Sequence, residues 1–259
     1  MNYQGLDVKI PVEDTDYDLL SKTALAEIDA MVQAAFDAGN NEIVLDTNIR
    51  GSFPLDNINK LAAPLIESWA ANVFKDVLTI LDNEYSLFHV EVGAKRTDLA
   101  DVVLQFKVIH GQAQARTTAN VDVKSTADTI KNSGKGPNIT SFAKIRTAYI
   151  EDPDFIFIIL SIKYHPYSQT NADGKARGII DLKDFNSYDF KYLSETDFSI
   201  NPALGTGQIQ IKDIHYVGIE PRTTWELMQL LDEKYVRSSK HSFDGWKREA
   251  KKRGWIKSN

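Results

Sequence analysis

The chain has 259 residues, no cysteine, 42% hydrophobic and 25% charged residues, and 30 Lys+Arg against 36 Asp+Glu, a formal charge of −6. These figures exclude disordered, collagen-like and disulfide-scaffold proteins and leave enough chain for a substantial core. Without cysteine there is no thiol nucleophile, no Cys-ligated zinc and no iron–sulfur cluster. The opening MNYQGLDVKIPVEDTDYD carries no basic segment followed by an apolar run, and no 18-residue apolar stretch follows it, so a cytoplasmic protein without membrane association is expected. A negative total argues mildly against a polyanion partner, but the charge is uneven. Lys234 to Asn259 holds nine Lys/Arg and two acids, a net of +7, so the remainder carries −13. Trp246 and Trp255, interleaved in that basic tail, suit either stacking or anchoring.

In chain order, Leu19 to Phe36 is Ala-rich with apolar residues at helical spacing, closed by Ala38-Gly39-Asn40-Asn41. Asn57 to Phe74 repeats the helical pattern, with Glu67 off its apolar stripe. Val77 to Val92 predicts one or two strands, and Asp101 to Ile109 another. His110-Gly111-Gln112 reads as a turn and Thr117 to Lys124 as the returning strand. After a Gly/Lys/Asn loop, Asn138 to Ile150 suits a helix, and Phe155 to Tyr164 is apolar enough for a strand buried on both faces. Residues 165–220 look irregular with short strands, including Gln208 to Ile214, and Thr223 to Tyr235 predicts a helix. The order helix, strand, strand, strand, helix, strand implies one α/β domain over 1–259, a mixed central sheet flanked by helices (αβββαβ).

Motif spacing excludes several chemistries. The phosphate-binding G-x-x-x-x-G-K-[ST] and the dinucleotide G-x-G-x-x-G are both missing, as is G-x-S-x-G. The five histidines never fall as H-x-H or H-E-x-x-H, so a histidine-rich metal site is not expected. What remains is acid-x-lysine, which on a strand puts both side chains on one face, where the carboxylate can hold a divalent cation and the ammonium can meet phosphate or water. Among such units are Asp7/Lys9, Asp122/Lys124, Asp181/Lys183, Asp232/Lys234 and Glu249/Lys251. The last two fall in helical patterns and Asp7 has no upstream acid. Asp181/Lys183 can draw on Asp154, but only across a loop-rich stretch. Asp122/Lys124 has Asp98 and Asp101 upstream, and the hairpin sets Asp101 beside Asp122 at one sheet edge, with Glu67 available from the preceding helix.

Asp98-Leu99-Ala100-Asp101-Val102-Val103-Leu104, Val121-Asp122-Val123-Lys124-Ser125 and Gly136-Pro137-Asn138-Ile139-Thr140-Ser141 together resemble the PD-(D/E)xK type II restriction endonucleases, closest to the blunt-cutting EcoRV and HincII branch. The resemblance covers a catalytic core at about 55–165 and, more faintly, Asn201 to Tyr235, within a DNA-contacting C-terminal part at about 200–259. It departs from the pattern in placing Ala100 where the family name has proline, and in a longer hairpin, so both Asp98 and Asp101 stand as the first acid. It implies a restriction-endonuclease-like core in which Asp101, Asp122 and the Val123 carbonyl bind Mg²⁺, with Glu67 as a further metal residue and Lys124 assisting the water. It also implies that Gly134, Lys135, Gly136, Asn138, Thr140 and Ser141 read double-stranded DNA, with Asn138 suited to adenine. Arg222 and Thr223 would form a second DNA-contacting loop. A homodimer cutting a palindrome to blunt 5′-phosphate and 3′-hydroxyl ends follows. The alternatives are a structure-specific repair or junction-resolving nuclease, a non-catalytic DNA-binding module, or a sugar- or nucleotide-binding protein centred on Asp154 and Asp181.

Overall fold

The computed structural model describes residues 1–50, 58–93, 99–110, 113–203, 205, 207–238 and 240–257. Asp98 and the Gly111-Gln112 turn lie outside them. In chain order the elements are α1 (Tyr17–Asp37), β1 (Glu42–Arg50), α2 (Asn59–Leu78), β2 (Leu87–Val92), β3 (Val102–His110), β4 (Ala113–Ala127) and β5 (Asn138–Ser141). They continue with α3 (Phe142–Glu151), β6 (Ile156–Thr170), β7 (Lys175–Asp189), β8 (Phe198–Asn201), β9 (Gln208–Ile211), α4 (Thr224–Arg237) and α5 (Phe243–Lys252).

Six strands form a mixed sheet in the order β1-β7-β6-β4-β3-β2, in which β4 and β6 are parallel and the other neighbours antiparallel. Alternation along the strands divides the core in two. Val121 and Val123 of β4, with Ile158, Leu160 and Ile162 of β6, join the core under α1 and α2. Phe157 and Ile159 face the other way, into a core shared with α3, α4, α5 and the three-stranded antiparallel sheet β5-β9-β8. The apolar run at the start of β6 is therefore buried on both faces, as expected of a sheet interior. Asp122 and Lys124 alternate with Val121 and Val123, so they stand on the face away from α1 and α2. The mixed α/β sheet flanked by helices is the expected restriction-endonuclease-like core, with α2-β2-β3-β4-α3-β6 supplying its αβββαβ order.

The 77–92 stretch, expected to hold one or two strands, holds one, because α2 runs on to Leu78 and a turn region follows before Leu87. Other elements differ from the sequence expectation. Asn138 to Ser141 is a strand, and the helix begins only at Phe142, where the Ser141 hydroxyl accepts from Lys144 N and caps it. The stretch after 165, expected to be irregular, is regular: β6 continues to Thr170 and pairs with the fifteen-residue β7. Strand β1 lies where no element is predicted, with every second residue at its start partly covered.

The two tryptophans of the basic tail are fully buried, which settles their role as anchoring. Trp246 Nε1 donates to Asp232 Oδ1 at 2.7 Å and Trp255 Nε1 to Thr147 Oγ1 at 3.0 Å. Asp232 also takes Arg146 Nε and Nη2 at 2.6 and 2.9 Å and the Tyr3 hydroxyl at 2.9 Å. The chain start joins the tail through Lys9 N to Trp255 O and Lys257 N to Asp7 O, both 2.8 Å. Among the described residues no helix is long and apolar enough to cross a membrane.

Candidate active site

The site forms where β4 outruns β3. The last β3–β4 partners are Val102 and Val121, and Asp101 N still donates to Val121 O at 2.9 Å. Beyond that point β4 keeps its β6 partner, as Asp122 opposite Ile159 and Lys124 opposite Ser161, but among the described residues it has no strand partner on the other side. In a strand the N–H and C=O of alternate residues point to the same edge, so the Val123 groups face the gap that β3 leaves. The Asp101 carboxylate turns into that gap and accepts from Val123 N at 2.8 Å. Its backbone is fixed as well, since Gly93 N donates to Asp101 O at 2.8 Å. A Cβ on Gly93 would lie 2.7 Å from Ala100 O, so only glycine lets the two chains approach this closely.

Across the gap, Asp122 is buried at 6% exposure. Lys124 Nζ lies 2.6 Å from Asp122 Oδ2 and 3.5 Å from the Val123 carbonyl oxygen. The first contact is an ion pair, and among the described residues Asp122 Oδ2 has no partner besides Lys124. Burial pushes the Asp122 carboxyl up to about 7; Lys124 opposes the rise, while Asp101 and Glu67 add to it. Glu67, on α2, is raised by its own burial and by Asp101, against the pull of Lys124. Glu67 is thus within electrostatic range, but among the described residues no three Asp, Glu or His side chains close tightly enough to hold a metal between them. A buried carboxylate held only by a lysine, beside a backbone carbonyl at a strand fork and a second carboxylate fixed to the same edge, is an all-oxygen set that fits a hard divalent cation.

The competing set does not assemble. Asp154 precedes β6 and accepts from Asp14 N at 2.7 Å, whereas Asp181 sits opposite His165, far along β6, and pairs with Lys183. At strand rise the two acids are roughly 30 Å apart.

The segment after the site is held against β9 and the residues that follow it. Gly134 has φ +78° and lies over Thr126, and its carbonyl accepts from Ile214 N at 2.9 Å. Gly136 has φ +64°, and Gln210 Nε2 donates to its carbonyl at 3.1 Å. The Lys135 ammonium is paired with Asp213, whose carboxyl is held below its usual value in part by that contact. Asn138 is exposed and stands opposite Gln210. Thr140 is buried, and Ser141 is occupied as the α3 cap. Gln210 escaped sequence reasoning because an isolated glutamine in an alternating strand carries no motif. Arg222 donates to the carbonyls of Lys191 and Leu193 and to Glu220, and Thr223 caps α4 in a reciprocal box with Glu226. Both therefore have structural partners within the chain.

A restriction-endonuclease-like sheet with two carboxylates and a lysine at a strand fork defines the class: deoxyribonucleases of the restriction type. The chain belongs to the type II restriction endonuclease HpaI family, whose family model matches residues 4–254. It is 48% identical over 258 residues to the type II restriction enzyme HpaI of Haemophilus parainfluenzae, covering 99% of this chain and 100% of that protein. It is accordingly a site-specific deoxyribonuclease, of a group that generally uses divalent metal ions.

Proposed function

We propose that this chain is a Mg²⁺-dependent PD-(D/E)xK endonuclease in which Asp101, Asp122 and the Val123 carbonyl hold the cation and Lys124 serves the attacking water. The observation carrying this reading is the buried Asp122 carboxylate, held by Lys124, beside the Val123 edge to which the Asp101 carboxylate is fixed. When bound, Mg²⁺ supplies Lewis-acid polarisation of a phosphate oxygen and makes water more acidic. Lys124, anchored between Asp122 and the Val123 carbonyl, directs an N–H toward the nucleophilic water and offsets charge that builds on the phosphorane oxygens. Asp101, locked by Val123 N, keeps its carboxylate turned to the same point. Water attacks phosphorus and gives up a proton to solvent, the P–O3′ bond breaks opposite it, and the 3′ oxygen takes up a proton from solvent, leaving 5′-phosphate and 3′-hydroxyl ends. Glu67 at the rim adds negative charge that favours cation binding.

The whole of 1–259 acts as one endonuclease unit in the cytoplasm, as a homodimer with one cut per strand of a palindromic duplex, opposite one another so that the ends are blunt. Exposed Asn138, with the Gly134-Lys135-Gly136 turn close by, reads base edges; Thr140 and Ser141 shape that segment, and Arg222 and Thr223 brace the C-terminal part. Asp122→Ala is expected to abolish Mg²⁺-dependent cleavage of phage DNA while the variant still retards duplex in a gel; cutting at the native rate would overturn the assignment.

A further inference from the structure

The catalytic face of the sheet does not end at Lys124. Paired residues of neighbouring strands share a face, so the row pairs Asp122 with Ile159, Lys124 with Ser161 and Thr126 with Lys163. Residues 214–216 lie along this face. The Tyr188 hydroxyl donates to Ile214 O at 2.9 Å, His215 Nδ1 meets Ser161 Oγ at 3.3 Å, and Lys163 Nζ contacts the Tyr216 hydroxyl.

Lys163 differs from the two nearest lysines of these strands, Lys124 and Lys183. Lys124 is paired with Asp122 and Lys183 with Asp181. The acid opposite Lys163 on β7 is Asp184, whose carboxylate meets His215 Nε2 at 3.2 Å. Among the described residues no carboxylate lies within 4 Å of Lys163 Nζ. Its partner is a neutral phenol, over whose ring the ammonium sits at 4.1 Å from the centroid. Tyr216 is 67% exposed, yet its ring is set edge-on against His215 at 5.1 Å and its backbone is tied by Tyr216 N to Asp213 Oδ1 at 3.3 Å. An unneutralised cation and a hydroxyl, both accessible and both held, match the chemistry of a phosphodiester oxygen.

We infer that Lys163 and Tyr216 form a second phosphate-binding point, gripping the backbone of the same duplex whose scissile phosphate lies at Asp101, Asp122 and Lys124; this rests on reading those three as the cleavage site. Four residues of strand rise and one strand spacing put Lys163 roughly 14 Å from Asp122. That is comparable to the ~12 Å width of a DNA major groove, so one duplex spans both points. The grip positions DNA and reads no bases, so its removal weakens all sequences alike.

The test uses full-length protein and a duplex oligonucleotide containing a sequence that the native enzyme cuts, with binding measured in EDTA over a salt series. Lys163→Gln is expected to weaken binding about tenfold and to flatten the slope of log affinity against log salt by about 0.9 for each phosphate no longer neutralised. Lys163→Arg should restore the slope, and Tyr216→Phe should weaken binding while leaving it intact. A Lys163→Gln slope equal to the native one overturns the inference. Asp122→Ala, run alongside in Mg²⁺, keeps the two readings apart: native-rate cutting by that variant overturns the cleavage site, whereas its inactivity with an unchanged Lys163→Gln slope overturns only the second phosphate point.

Discussion

Replacing Asp122 with asparagine should make the protein more stable when no divalent cation is available. Burial raises the Asp122 carboxyl from 3.8 to about 7, so folding opposes its ionisation. Below about pH 4 the group is protonated whether folded or unfolded and costs nothing. As pH rises toward 7 the unfolded chain ionises first and the penalty grows; above 7 it is complete. A displacement of roughly three pH units, at about 1.4 kcal/mol each, sets an upper bound of about 4 kcal/mol. Asparagine keeps the shape without the charge, and the Lys124 attraction is already counted in the displacement; with the amide imperfectly accommodated, about half of the bound, ~2 kcal/mol, is the expected gain, or a rise in melting temperature of about 4–8 °C. Thermal melts in EDTA near pH 8 and pH 5 measure it, and the gain must be larger at the higher pH. Saturating Mg²⁺ should then stabilise the native protein, by about 2.7 kcal/mol at a hundred times its dissociation constant, and leave the variant nearly unmoved. A variant that melts at or below the native protein near pH 8 in EDTA would refute the view that this carboxylate is held in an unfavourable place.

Three further outcomes are expected. Gly93→Ala forces its Cβ onto Ala100 O and displaces Asp101, so single-turnover cleavage should fall at least tenfold while the melting temperature shifts by only a few degrees. Arg146→Met leaves Asp232 charged and buried with only the Tyr3 and Trp246 donors, a loss of about 3–5 kcal/mol readable as a lower urea midpoint. Asn138→Ala should lower discrimination against one wrong base pair by about 1–3 kcal/mol, seen as cleavage of near-cognate sites in a plasmid digest; an unchanged digest pattern would remove Asn138 from base reading.

Where one face of an element is buried, the sequence announced it. The apolar spacing of α1 and α2, the β3–β4 pair with its acid-x-lysine, and the doubly buried start of β6 were all legible because burial dictates their residues. The second half of β6 and its partner β7 were not. There the ladder is satisfied backbone to backbone, from His165 opposite Asp181 to Thr170 opposite Ala176, while many side chains are polar, so alternation is lost. Asn138 to Ser141 read as helix because Ser141 does begin one, and pairing with β9 holds the preceding residues extended. At the site, the residue types were legible; the free Val123 edge was not, because a strand's end depends on where its neighbour stops. Lys163 and Tyr216 were invisible for a related reason: they meet only through the β4–β6 register and the placement of 214–216.

The alternation on β4 also acts as a form of quality control. A slip of one residue against β6 would turn Asp122 and Lys124 into the packed interior beneath α1 and α2 and expose Val121 and Val123. The Asp122–Lys124 pair, taken into an apolar interior away from the cleft, would cost several kcal/mol, a large share of what such a fold retains. The same packing that covers Val121 and Val123 therefore selects the one register in which the site is open, so correct folding and a correctly placed site are a single event.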